Sequence, residues 1–225
     1  MILETFEKGN KKLELYLEQD IPCNPREDWD HLGKMLCNHR RYELGDEKLC
    51  TEDARGWNEA LFYYCCFEIG LDDEDEQRRL WDEDSGCSPA VEDITGDFCF
   101  LPLYLYDHSG ITMSTTPFSC PWDSGQVGWI IVSWEDVKNK VGDKTAVEVG
   151  EILKNEVKEY DYYLRGECYG FEIMSLDECD KCSTSRIDSI DGCTGFLGPI
   201  PENGILDAID DTSPELRKMV EDYYC

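Results

Sequence analysis

The sequence predicts an α+β fold: an antiparallel sheet core, flanking helices and an acidic insertion. Three observations carry that expectation. Strand-like and helix-like apolar patterns alternate irregularly, with no internal repeat and no regular βαβ order. The 225 residues are 41% hydrophobic and 12% aromatic, enough for a real core and too rich for a disordered tail. The central apolar runs are separated by tight-turn signals, as antiparallel hairpins require. Length points to a single α+β domain over 1–225, or two intimately packed lobes.

Each element has its own local reason. Residues 12–18 alternate polar and apolar, with Leu13, Leu15 and Leu17 on one face, which reads as a half-buried strand. Ile21-Pro-Cys-Asn-Pro25 ends it, and Trp29, Leu32, Leu36 and Cys37 near helical spacing predict a helix over 26–37. Residues 57–69 form a dense apolar block whose length suits a buried helix or a buried strand, and periodicity does not arbitrate. Phe98–Asp107 reads as a buried strand in which Pro102 marks an edge or a bulge. Ser109-Gly110 turns the chain, Ile111–Thr115 returns it, and Gly128–Trp134 is a further strand. Ser133 is the expected N-cap of a helix starting at Trp134, because its hydroxyl can accept from exposed amides. Val149, Ile152, Leu153, Val157, Tyr160 and Leu164 share one side of a helix over 146–164. Strands near 166–174 and 193–197 follow, and Ser213-Pro214 opens a last short helix, with proline at the first helical position.

Charge is the strongest compositional signal. Fifty acidic residues against 21 basic ones leave a formal charge of −29. Nucleic-acid binders display basic patches, so this balance excludes direct contact with DNA, RNA or an anionic membrane face and points to basic partners. The excess is uneven. Eleven acids fall between Leu71 and Asp97, opposed only by Arg78 and Arg79, and Leu80-Trp81 anchors a short helix there. Like-charge crowding disfavours compact structure, so 70–96 reads as an exposed acidic insertion. Asp72, Asp73, Glu74, Asp75, Glu76, Asp82, Glu83 and Asp84 are its candidate partner-binding residues.

The thirteen cysteines must be weighed against compartment. Acidic residues stand within four positions of Met1 and no apolar signal-peptide core follows, nor does any run reach the roughly 18–20 apolar residues that span a bilayer. The expectation is a cytoplasm, with the thiols reduced and buried as small hydrophobes. Cys179-Asp-Lys-Cys182 is half of a structural zinc site, which needs four ligands. Cys168 and Cys193 lack such spacing and no histidine lies nearby, so the pair reads as a loop with incidental thiols. His31 and His39, with Asp28 and Asp30, read as surface helix residues rather than metal ligands. No cofactor is expected. Phosphate-binding glycine loops, HExxH, GxSxG and calcium loops are all missing from the sequence.

Residues 101–132 hold Asp107, His108, Ser109, Ser119, Cys120, Asp123 and Ser124. Cys120 with His108 as base, and Asp107 or Asp123 orienting the ring, would make a nucleophile if the imidazole reached the thiol. Against this, Asp107-His108-Ser109-Gly110 has the composition of an ordinary hairpin turn, and the Pro121-Trp122 flank of Cys120 reads as a packed core corner.

Three stretches resemble one family: Pro25–Asp46 (PREDWDHLGKMLCNHRRYELGD), the central LPLYLYDHSGITMSTTPFSCPWDSGQVGWI from Leu101, and Glu159–Phe171 (EYDYYLRGECYGF). They are similar to small acidic proteins of phages and other mobile elements, mostly of Gram-positive hosts. The likeness covers roughly a third of the chain. It departs at Thr194, where the family pattern has Trp, at Cys179–Ser185, which looks inserted, and over Gly70–Thr95, which is not shared. The resemblance implies a mobile-element context and supplies no reaction or catalytic residue.

Charge and context together suggest an anti-defence protein in the host bacterial cytoplasm. Its partner would be a basic nucleic-acid-binding protein, a Cas effector or restriction nuclease, whose groove the acidic surface occupies in place of a phosphate backbone. The magnitudes agree: a compact chain of this length spans about 45 Å, over which duplex DNA carries about 26 phosphates. Two other readings stand beside it. One is an acidic interaction or housekeeping protein of the element with no inhibitory role. The other is a cysteine-dependent enzyme using Cys120 and His108.

Overall fold

A computed structural model describes residues 1–20, 24–82, 89–178 and 185–224. They form an α+β fold with eight helices and two mostly antiparallel sheets among the described residues. The chain divides into two compact units, Met1–Asp28 with Tyr162–Cys225, and Trp29–Asp161.

The first unit is built on a four-stranded sheet. Its strands are β1 (Ile2–Lys8), β2 (Lys11–Leu17), β8 (Cys168–Glu178) and β9 (Ser185–Leu197), adjacent in that order and all antiparallel. Leu13 and Leu15, the alternating leucines of the sequence, are fully buried on one face with Phe6, Phe171 and Ile173. Two helices cover that face, α7 (Ile205–Thr212) and α8 (Pro214–Tyr224), through Ile205, Ile209, Leu216 and Val220. A four-residue helix, α1 (Pro25–Asp28), also belongs to this unit. β1 and α7 were not expected. β1 keeps only Phe6 buried, so it carries no clear period-two signal, and α7 is half polar. The strands at 168–178 and 185–197 are also longer than their apolar stretches suggest.

The second unit has a five-stranded sheet, in the order β4 (Glu47–Lys48), β3 (Lys34–Cys37), β7 (Ser124–Ser133), β5 (Phe98–Asp107), β6 (Ile111–Ser114). Only β3 and β4 run parallel. The expected helix over 26–37 is wrong beyond Asp28. Met35, Leu36 and Cys37 are buried on both faces of a strand paired to β7, and three consecutive buried apolar residues are the mark of an inner strand. Gly33 and Gly128 permit this pairing. A Cβ on Gly33 would strike Leu153 and Ile130, and one on Gly128 would run into the Leu36 carbonyl. The same correction removes His31 and His39 from a helix; both lie outside regular structure.

The ambiguous block at 57–69 is helix α2 (Trp57–Glu68). Ala60, Leu61 and Cys65 pack with Leu36, Phe98, Trp129 and Ile131 on one sheet face. Helices α3 (Glu74–Asp82) and α4 (Pro89–Gly96) follow in the acidic stretch, and a small cluster of Phe62, Cys66 and Val91, with Leu80 and Trp81 against it, joins them to α2. Pro102 lies where β5 has β7 on one side only, since β6 pairs from Tyr104 onward, and a bulge follows at Leu103/Tyr104. Ser133 Oγ accepts from Asp136 N at 3.0 Å, capping α5 (Trp134–Val141). The long helix α6 (Ala146–Leu164) buries Val149, Leu153, Val157 and Tyr160 and accepts backbone amides from the loop before β3 and from β6. Leu32 N and Gly33 N donate to Glu156, and Met113 N donates to Asp161.

Candidate functional site

The acidic stretch forms a helix because its charges are ordered along it. Asp73 Oδ1 accepts from Glu76 N at 3.0 Å as an N-terminal cap, and the acids fill the first turn, where helix amide dipoles favour negative charge. Arg79 lies in the last turn and reaches back to Glu76 at 3.8 Å. The C-terminal end is moored by Arg55, which pairs with Asp82 and with Glu59 of α2. Asp72, Asp73, Glu74, Asp75 and Glu76 are all exposed, consecutive at the head of α3. Asp72, Glu74 and Asp75 have no ion pair among the described residues. Asp82 is exposed too but bound by Arg55, so its charge is compensated. Glu83 and Asp84 lie outside the described residues.

One wall of α3 borders a cleft of about 250 Å³. Tyr63, Tyr64 and Phe67 of α2 supply aromatic lining, while Leu49, Ala54 and Ala60 supply aliphatic lining. Glu47, Asp53 and Glu74 bring carboxylates, and Lys48, Cys50, Gln77 and Arg78 complete the lining. Sequence reasoning missed this feature because Tyr63-Tyr64-Cys-Cys-Phe67 reads as core. In the fold only Cys65 and Cys66 are core, and Phe67 is 65% exposed. The helical spacing of Tyr63, Tyr64 and Phe67 was the available signal. Burial pushes the Tyr64 phenol up to about 12, against the opposing hydrogen bond that Lys34 Nζ donates to it at 3.1 Å. Lys34 is raised to about 12, chiefly by that same phenol.

The central candidates form a second surface cluster. Asp123 Oδ2 lies 3.3 Å from His108 Nδ1 and accepts from Cys120 Sγ at 3.7 Å, so the carboxylate stands between the other two. Among the described residues no hydrogen bond joins His108 to Cys120. Asp107 is committed elsewhere, to Arg41 at 3.1 Å and to the Tyr42 hydroxyl at 3.1 Å. A thiol needs its base at the sulfur to become a nucleophile, and here its neighbour is an anion. The Asp107–Gly110 segment is the expected hairpin turn, with His108 N donating to Gly110 O at 3.0 Å and Ser109 at φ 59°. The packed corner expected at Pro121-Trp122 is overturned, since Trp122 is 91% exposed. The turn is held by Ser124 Oγ donating to Cys120 O and by Asp107 N donating to Asp123 O.

The described cysteines are free thiols. Burial pushes Cys65 up to about 12 and Cys66 up to about 11, far from thiolate chemistry at neutral pH. Cys50 and Cys193 are exposed, contrary to a uniformly buried set. Cys179 and Cys182 lie outside the described residues. Among the described residues, no three His, Cys, Asp or Glu side chains converge to hold a metal ion. His31 Nε2 faces Glu159 at 3.7 Å, while His39 stacks on Tyr42 and is lowered by burial. No described helix is long and apolar enough to cross a membrane.

No family model matches the chain, and none of the curated proteins or solved structures does.

Proposed function

We propose that this protein is an anti-defence protein of a phage or mobile element, acting in the host cytoplasm on a CRISPR–Cas or restriction nuclease. It inhibits by placing an acidic surface, Asp72–Glu76 at the head of α3, in a basic nucleic-acid-binding groove. The observation that carries this reading is the run of five consecutive exposed carboxylates on a capped and moored helix, in a chain of charge −29. Fixed negative charge of this kind competes with a phosphate backbone, because either one releases the counterions gathered in the groove. Moored charge is more useful than a flexible tail, since less conformational entropy is lost on docking.

The test uses a panel of purified Cas effectors and restriction nucleases from candidate hosts, with binding measured at low and at physiological salt. A complex is expected that weakens with salt and competes with guide RNA or target DNA. Replacing Asp72, Asp73, Glu74, Asp75 and Glu76 by their amides should weaken it tenfold or more, at roughly 0.3 kcal/mol or more for each charge removed. A panel in which no nuclease is retained even at low salt overturns the reading. Unchanged binding by the amide variant overturns the role of α3.

A further inference from the structure

We propose that the cleft between α2 and α3 receives a single arginine side chain of a basic protein partner. The partner's sign of charge rests on the reading above, whereas the cleft's preference for a guanidinium rests on its own lining.

Size is the first argument. At about 250 Å³ the cleft is smaller than the roughly 300 Å³ at which pockets for small organic ligands begin. One long side chain fits that space better than a cofactor does. Chemistry is the second. Tyr63, Tyr64 and Phe67 line it with aromatic rings, whose faces attract a cation through their quadrupole, and Leu49 and Ala54 can cover its aliphatic stem.

Charge complementarity is the third argument. Glu47, Asp53 and Glu74 line the cleft against Lys48 and Arg78, with Glu47 facing Lys34 at 3.4 Å and Arg78 close to Tyr63. Exposed Glu68 stands close to Tyr64, and the exposed Asp72–Glu76 run begins at the α3 wall. An incoming cation therefore meets net negative charge at the rim and aromatic surface within. Among cations the guanidinium fits best, because it is planar, stacks on rings and is more weakly hydrated than an ammonium. Arginine held by aromatic side chains is also a recurrent energetic anchor of protein interfaces. Phe67, 65% exposed beside Ile69, is the apolar surface that such a contact would cover.

The probe is acetyl-Gly-Arg-Gly-amide, titrated into the full chain by NMR alongside its citrulline and lysine counterparts. The arginine peptide should bind in the millimolar range, with shifts concentrated at Tyr63, Tyr64, Phe67 and Cys50. It should bind at least about fivefold more tightly than the citrulline peptide, and more tightly than the lysine peptide, as ring–cation contacts of ordinary strength imply. Phe67→Ala, a change at an exposed position, should weaken it several-fold, while Val147→Ala, exposed on α6, should not. Equal binding of the citrulline or lysine peptide, shifts spread outside the cleft, or no binding overturns the proposal. The nuclease panel is scored separately. Peptide bound at the cleft with no nuclease retained sinks the anti-defence reading alone, and a retained nuclease with no peptide bound sinks the cleft alone.

Discussion

Glu59 is 2% exposed, in a chain with fifty acidic residues that mostly face water. Its carboxylate is pulled down to about 2, first by the Arg55 guanidinium and further by the Arg55 amide and the Tyr63 hydroxyl, with burial acting in the opposite direction. Because its folded value lies below its ordinary one, its contribution is complete above about pH 4.5 and disappears as pH falls toward about 2. That contribution is on the order of 2–3 kcal/mol. Glu59→Gln should therefore lower the urea midpoint at pH 7, and the gap to the unaltered chain should close between pH 5 and about pH 2. A gap that stays constant across that range would show that Glu59 acts through packing alone. No sequence signal singled out Glu59, because an acid four residues after an arginine usually reads as a surface pair. Trp122 was misjudged in the opposite direction, since composition does not reveal that a proline-flanked turn points its indole at solvent.

Helix α3 shows what holds an element together when it buries none of its residues fully. Its apolar share is Leu80 and Trp81, which sit half-buried against the small α2–α4 cluster, with the Trp81 ring 5.4 Å from that of Phe62. With little else to anchor it, the helix should depend on that indole. Trp81→Ala should speed amide exchange across 74–82 by about tenfold or more, as the loss of about 1.5 kcal/mol of local stability implies. Exchange that is unchanged would mean the Arg55–Asp82 bond moors the helix by itself. The short Leu80-Trp81 helix was legible because those two apolar residues follow an acidic first turn. The aromatic cleft beside it was not, because exposure of Tyr63, Tyr64 and Phe67 depends on where α3 lands. Strand β2, the β5–β6 hairpin, α5 and α6 were readable for the same reason: each carries its own period or cap. The strand at 34–37 was missed because apolar spacing in 26–37 mimics a helix, and only its pairing to β7 decides the matter.

At the scale of the whole chain, the surplus of acids over bases makes folding work against self-repulsion. Added salt shortens the screening distance from about 10 Å at 0.1 M to about 3 Å at 1 M, so NaCl should raise the urea midpoint. A fall would mean that favourable local pairs, such as Arg55–Glu59 and Arg217–Glu221, outweigh the general repulsion. The division into two units was not readable beforehand, since nothing local announces that residues 11–17 will pair with 169–175. That pairing also sets an order of events during synthesis. The unit 29–161 is continuous and holds all five of its strands, so it can complete itself while the ribosome is still translating. The β1–β2 hairpin precedes that unit in the chain, yet its apolar face stays uncovered until β8, α7 and α8 follow. A strand pair synthesised before the continuous unit is thus completed only after it.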